Sequence, residues 1–282
     1  MTPTPLPPPR LLPATGNLPV LLSVPHSGTD YPEWLIRDAR RGRESLELLE
    51  DPLVDRLVWR AIALGCGAVI ARAPRAAVDC NRSPSEIDPA TPGIAPGADP
   101  GPRARGGLGI VPTRTPRDGD LWRRRISRQD MDRRIAEAWR PYHSSLRSQI
   151  AQLQRRHAEV LLLDCHSMPP RGTNQPQVVI GDRHGKSAGR WLGDLARRTV
   201  EAEGFTAAFN DPYAGGWIID SLGEPRNGVH ALQLELDRGL YLDPGARQAG
   251  PGFDRVSRLL EGLARTLGEA ILARHALPEA AE

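Results

Sequence analysis

The chain has 282 residues, 39% hydrophobic and 25% charged, a balance that excludes a disordered or fibrous protein. Its 37 basic and 34 acidic residues leave a formal charge of +3 with the two signs interspersed, which speaks against a nucleic-acid stripe. No apolar run approaches the roughly 18 residues of a membrane helix. The N-terminal stretch lacks the apolar centre of a signal peptide. Three cysteines, Cys66, Cys80 and Cys165, are too few and odd in number for a disulfide framework. A reducing cytoplasm is the expected compartment, with neither nucleic acid nor membrane as partner. Arginine supplies 36 of the positive charges, and Lys186 is the sole lysine. The densest run, Arg123 to Arg125 with Arg128, Arg133 and Arg134, lacks interleaved aromatic platforms and reads as a solvated helix face.

In chain order, residues 1–19 hold seven prolines and read as an extended arm without a core of its own. Val20–Val24 is a short apolar run ended by Pro25 and a His26-Ser27-Gly28 turn, the pattern of a buried strand delivering residues to a loop. Leu46, Leu49, Leu53, Leu57 and Ala61 lie at helical spacing over 46–63, with Pro52 restarting the helix. A strand is expected over Gly67–Arg72. Proline and glycine dominate 83–120 and apolar periodicity disappears, which predicts a flexible insertion or lid. The stripe Met131, Ile135, Trp139, Tyr142, Leu146, Ile150 and Leu153 predicts an amphipathic helix that Pro141 kinks or splits. Strands follow over Glu159–His166, Gln177–Gly181, Phe205–Phe209 and His230–Leu236, with helices over 187–203 and from Phe253 to Ile271. Residues 276–282 are read as a tail. Apolar strands alternating with helices predict a single α/β domain over 20–275 with a mostly parallel sheet covered on both faces.

Open α/β sheets bind ligands beyond the carboxyl ends of their strands. One predicted strand ends at His26, the central one ends in Asp164-Cys165-His166-Ser167, and a late one carries Glu235 followed by Asp237 and Arg238. Two histidines from separate strand ends, with a carboxylate from elsewhere, suit a catalytic zinc that keeps a position open for water. A further glutamate would accept that water's proton. A strand-end histidine is as readily a hydrogen-bonded structural residue, so this pattern alone leaves both readings open. Cys165 and His166 point to opposite faces of a strand and cannot easily form a dyad; a cysteine on an apolar strand is an inert core residue by default.

Six short motifs follow one another along the chain. They are Pro25-His26-Ser27-Gly28, Val78-Asp79-Cys80-Asn81-Arg82, Pro141-Tyr142-His143, Asp164-Cys165-His166-Ser167-Met168-Pro169, Gly215-Gly216, and Gly228-Val229-His230-Ala231-Leu232-Gln233-Leu234-Glu235. In that order they resemble the N-formylglutamate amidohydrolase family over nearly the whole chain. The resemblance implies a three-layer α/β/α, phosphorylase/hydrolase-like fold. It also implies a metal-dependent amide hydrolase, with Zn2+ or another divalent metal as cofactor. It makes His26 and His166 the histidine ligands and places the carboxylate ligand at Glu50-Asp51 or Asp55, of which Asp51 is chosen; an N-cap before Pro52 is the competing role for Asp51. Glu235 takes the place of the catalytic glutamate.

The implied substrate is a small N-acyl amino acid with a second carboxylate. Arg82, with Asn81 beside it, and then Arg226 are the candidate carboxylate ligands, because a guanidinium binds carboxylates in a planar, bidentate manner. His143 and His230 are candidate pocket residues, and Gly216 would let backbone approach the ligand. The family places an arginine shortly after the paired glycines, whereas Trp217-Ile218-Ile219-Asp220-Ser221 carries an acid there, which weakens the case for formylglutamate itself. A deacylase or carboxypeptidase-like peptidase with another substrate is the alternative, and a non-catalytic binding protein the remote one.

Overall fold

The computed structural model describes residues 3–92, 100–115, 117–172 and 174–275. The expected tail at 276–282 and part of the 83–120 segment lie outside these residues. The chain divides into two compact units. One takes Met1–Arg10, Pro25–Asp51 and Val69–Ser145; the other takes Leu11–Val24, Pro52–Ala68 and Leu146–Glu282.

The fold is mixed α/β, built on a seven-stranded, mostly parallel sheet flanked by helices, as the strand–helix alternation predicts. In chain order the strands are β1 (Arg10–Leu12), β2 (Val20–Val24), β3 (Gly67–Ile70), β6 (Val160–Met168), β7 (Val178–Gly181), β8 (Ala207–Phe209) and β9 (Val229–Asp237). They lie in the order β1-β3-β2-β6-β9-β7-β8. β6 runs parallel to both β2 and β9, and β7 is antiparallel to β9. Every residue of β2, β6 and β9 is buried, which explains why β2 and β6 read as apolar runs, whereas β9 alternates because its polar residues Gln233 and Glu235 are buried on one face. The pairing is in strict register, Leu162 with Ala231 and His166 with Glu235.

The second unit's helices follow their apolar spacing. In α8 (Arg190–Ala202), Leu192, Ala196 and Val200 recur every fourth residue and pack onto β7 and β8. The closing helix α10 (Phe253–His275) buries Leu260, Leu263, Leu267 and Ile271 against α3 (Val54–Leu57), α4 (Trp59–Ala63), α8 and β6. α9 (Trp217–Leu222) lies on β9 and β6.

Three expectations change. The helix expected over 46–63 is three short ones, α2 (Arg43–Glu47), α3 and α4. The break is tertiary in origin: the Asp51 backbone N–H donates to the His26 carbonyl, Pro52 has no N–H, and Leu53 takes a left-handed conformation at φ 61°. The N-terminal arm is tied down by β1, by buried Leu6, whose N–H donates to Glu137, and by the Trp34 indole donating to the Thr4 carbonyl. The described part of 83–120 is folded. It contains α5 (Gly101–Arg105) and a hairpin of β4 (Arg114–Thr115) and β5 (Gly119–Asp120). Ile110 is fully buried and exchanges backbone bonds with Asp79 and Glu86. Isolated apolar residues, without periodicity, are enough to fasten such a segment. The Pro141 expectation is met by a different device. α6 (Arg128–Arg134) passes through a π-helical turn at Ile135–Trp139 into α7 (Arg140–Gln154), because Pro141 cannot donate to the Glu137 carbonyl. Among the described residues, no helix is long and apolar enough to cross a membrane.

Gly228 immediately precedes β9 with φ +75°, and a Cβ there would lie 2.3 Å from the Ala158 carbonyl oxygen. Gly228→Ala is therefore expected to destabilise the chain by more than about 2 kcal/mol, measured as a lowered denaturation midpoint at unchanged m-value.

Candidate active site

In the first unit the site is built around His26, on the loop that follows β2. The ring is 3% exposed and touches a carboxylate through each nitrogen. Nδ1 lies 3.2 Å from Asp51 Oδ2, and Nε2 lies 2.7 Å from Asp79 Oδ1. Asp51 is fixed by its own backbone: its N–H donates to the His26 carbonyl, and its carbonyl accepts from the Ser27 hydroxyl. It is not a helix cap, since Leu53 occupies the N-cap of α3. Its neighbour Glu50 instead accepts the Tyr31 hydroxyl at 2.5 Å. Burial and that carboxylate push the Tyr31 pKa up, so the phenol stays a donor.

Asp79 is buried, which by itself would raise its pKa, yet Arg75, His26 and Arg82 together hold it well below the ordinary carboxylate range. Arg75 Nε donates to Asp79 Oδ2 at 2.9 Å, and the Asn81 backbone N–H donates to Oδ1 at 2.8 Å. Asp79 thus holds the His26 ring by Nε2, with Nδ1 on the Asp51 side. The Arg82 guanidinium, 12% exposed, lies 3.9 Å from Asp79 and 3.7 Å from Glu86. His143 is fully buried, stacks on Trp139 with ring centroids 4.0 Å apart, and binds the Cys80 carbonyl through Nε2.

In the second unit, strand alternation and register collect the polar groups on one face. Asp164 and His166 are two apart on β6, Gln233 and Glu235 two apart on β9, and the register pairs Asp164 with Gln233 and His166 with Glu235. His166 Nε2 lies 2.8 Å from Asp164 Oδ2, and Asp164 Oδ1 accepts the Ser23 hydroxyl at 2.7 Å. Gln233 is a bridge: its Oε1 accepts from the Gly216 backbone N–H and its Nε2 donates to Glu235 Oε1, both at 2.8 Å. Cys165 faces away, fully buried, and burial pushes its thiol pKa up beyond any use as a nucleophile.

Each unit thus holds an imidazole with Nε2 on a buried aspartate, and the second also a glutamate bonded by an amide, residue types that hydrolytic chemistry uses. The sequence matches the profile of the N-formylglutamate amidohydrolase family over residues 18–242. The chain belongs to that family. It is 31% identical over 244 residues to an N-formylglutamate deformylase of Pseudomonas aeruginosa, covering 82% of this chain and 85% of the relative. A Pseudomonas putida N-formylglutamate deformylase is 28% identical over 242 residues, 81% of this chain and 83% of that one. The crystal structure of an N-formylglutamate amidohydrolase from Ralstonia eutropha JMP134 superposes with a TM-score of 0.87 at 32% identity, covering 95% of this chain and 99% of that one. The Agrobacterium tumefaciens gene product Atu2144 shares the fold, with a TM-score of 0.66 at 18% identity over 95% of this chain and 96% of its own.

For this family member, two residues expected from the sequence to line the pocket stand elsewhere. His230 is at the amino end of β9, five residues and about 16 Å of strand from Glu235, and an odd separation turns it to the other face. Its Nδ1 accepts the Gly189 N–H, and Nε2 lies 3.6 Å from Glu159. Arg226 is exposed in the turn before β9, at that same far end. Arg226 precedes the strand and His230 is its second residue, whereas ligand-facing groups lie at or beyond its carboxyl end. The motifs assign no role to Asp79, Asp164 or Gln233, and Arg75 lies outside them. Asp164 was within reach, because an Asp-x-His run on a strand puts both side chains on one face. Asp220, the acid where the family places an arginine, is paired with Arg183 Nε at 2.8 Å and so carries no uncompensated charge.

Burial holds the His230 pKa below its ordinary value of 6.5, against the opposing pull of Glu159. Unfolding then takes up a proton, so its contribution to stability is full above about pH 6.5 and is lost as the pH falls through that value and below it. Melting temperatures between pH 7.5 and 5.5 are expected to show a shallower decline in His230→Asn than in the parent chain.

Proposed function

We propose that the chain hydrolyses the formyl amide of N-formylglutamate or a closely related N-acyl amino acid, with a divalent metal, zinc by preference, held by His26, Asp51 and His166. The observation that carries this reading is the treatment of the two histidines: each is buried with Nε2 on an aspartate, as ligating imidazoles are when an outer carboxylate fixes their tautomer. Nδ1 is then the ligating atom of both rings. The three residues are all buried, and each offers one ligand atom of the nitrogen or oxygen type that zinc accepts. The 3.2 Å between His26 Nδ1 and Asp51 Oδ2 fits the edge of a tetrahedral site, about 3.3 Å for metal–ligand distances near 2.0 Å. β2 and β6 are adjacent, and the chain leaves them toward opposite sides of the sheet, the topology at whose carboxyl ends α/β folds bind ligands.

A bound metal would supply Lewis acidity, polarising the amide carbonyl and lowering the pKa of a water. Glu235 takes the proton of the attacking water and returns it to the departing amine, its carboxylate oriented by the Gln233 amide. Arg82 binds a carboxylate of the substrate with Asn81 beside it. Its guanidinium is nearly buried, and its Nε has no hydrogen-bond partner among the described residues, the condition of a donor reserved for a ligand. Gly216 serves indirectly, through its N–H on Gln233. The lack of an arginine in Trp217–Ser221 after the paired glycines favours, as a second reading, a less acidic N-acyl amino acid. The ratio of kcat/KM for N-formylglutamate to that for N-formylleucine decides between the two.

Glu235→Gln is expected to retain the metal while kcat falls by about 10²–10⁴-fold; a variant as active as the parent removes Glu235 from catalysis. Elemental analysis should find zinc near one per chain, lost in His26→Ala and His166→Ala. Asp79→Asn and Asp164→Asn should bind it about 10–100-fold more weakly. Zinc retained in both histidine variants would overturn the site.

A further inference from the structure

The first unit holds a second polar hollow with no part in the chemistry above. It measures about 480 Å³, within the range of small-molecule sites. Its walls carry Arg37, Arg123, Arg124, Arg125 and Arg134 against only two acids, Asp38 and Asp130. Five arginines to two aspartates give this one hollow as much net positive charge as the whole chain, +3. The ridge Trp122–Ile126 separates it from a second hollow of about 300 Å³, also walled by arginine.

The arginines of the larger hollow differ in how they are held. Arg134 is 1% exposed. Its guanidinium carbon lies 4.9 Å from the Trp122 ring centroid and 5.1 Å from that of Trp34. NH2 reaches Asp130 at 2.7 Å and NH1 the Ala77 carbonyl at 3.2 Å, while Nε has no partner among the described residues. The fold thus fixes one cation permanently in the wall, between aromatic faces, with a donor left over. Arg123 is tied by Nε to the Arg37 and Ala39 carbonyls. Arg124 and Arg125 are exposed, with no side-chain hydrogen bond or ion pair to a described residue. Neighbouring like charges in a concave wall raise one another's energy and focus an attractive field on an anion.

We propose that this hollow is a binding site for a small multivalent anion, of the phosphate or dicarboxylate class, gripped by Arg124 and Arg125 against the fixed wall of Arg123 and Arg134. Guanidinium groups match both anions in a planar, bidentate manner. Trp122, 5% exposed, offers no face for a base to stack on, and no other aromatic among the described residues lines either hollow, so the ligand is a compact ion and not a nucleic acid.

The test is calorimetric titration of the full chain with inorganic phosphate and, separately, glutarate, at an ionic strength held constant with sodium chloride. Saturable binding of at least one anion is expected, weakened about tenfold or more in the Arg124→Ala/Arg125→Ala double variant. Arg190→Ala, which removes an exposed arginine on α8, should bind as the parent does. Amide hydrolysis without added anion should be the same in the double variant, which separates this site from the catalytic one. Phosphate binding that depends on the pair while glutarate binding does not assigns the hollow to phosphate-type ions, and the reverse to carboxylates. No saturable heat from either anion, or unchanged affinity in the double variant, would overturn the site.

Discussion

The chemistry proposed for this chain depends on two buried hydrogen bonds of one kind, from an imidazole Nε2 to an aspartate: His26 to Asp79 at 2.7 Å and His166 to Asp164 at 2.8 Å. Each settles which ring nitrogen carries the proton and which way the ring is turned. Each aspartate is in turn held, Asp79 by Arg75 and the Asn81 backbone, Asp164 by Ser23. Ionised carboxylates buried without such partners would take up protons instead and release the rings. The arginine beside Asp79 therefore acts on the site through two bonds, although it touches none of the proposed reacting atoms.

The elements that carry these groups were readable from the amino-acid order wherever burial is one-dimensional. β6 is an apolar run that turns polar at its far end, β9 alternates, and α10 repeats its apolar residues with helical period, so their existence and extent follow from periodicity. Where a long-range contact decides the backbone, periodicity fails. The 46–63 helix is broken because Asp51 turns back to His26, a contact between residues 25 apart in the chain. The 83–120 segment reads as structureless, yet Ile110 is buried and bonded to Asp79.

The site divides in the same way. Of the proposed site residues, His26, His166 and Glu235 could be named from the motifs, because strand ends and residue types mark them, whereas Asp51 was implied only by the family resemblance. Their supporting residues could not, since Asp79 and Arg75 acquire meaning only when the chain has folded back onto His26. His230 and Arg226 were drawn into the pocket by their nearness in sequence to Glu235. The direction of β9 separates them from it, as a nine-residue strand has two ends about 26 Å apart.

The pairing of β6 with β9 in strict register has a consequence for how the sequence can change. Side chains alternate along β6, so one residue inserted upstream of Asp164 would carry Cys165 into the place of His166 and turn the imidazole to the opposite face. A buried thiol would then stand where the ring nitrogen does, and Leu163 would replace the aspartate that orients it. Substitutions in this strand are graded in effect, whereas a single-codon insertion exchanges the whole chemical character of the face at once. Length, more than composition, is what this strand must conserve.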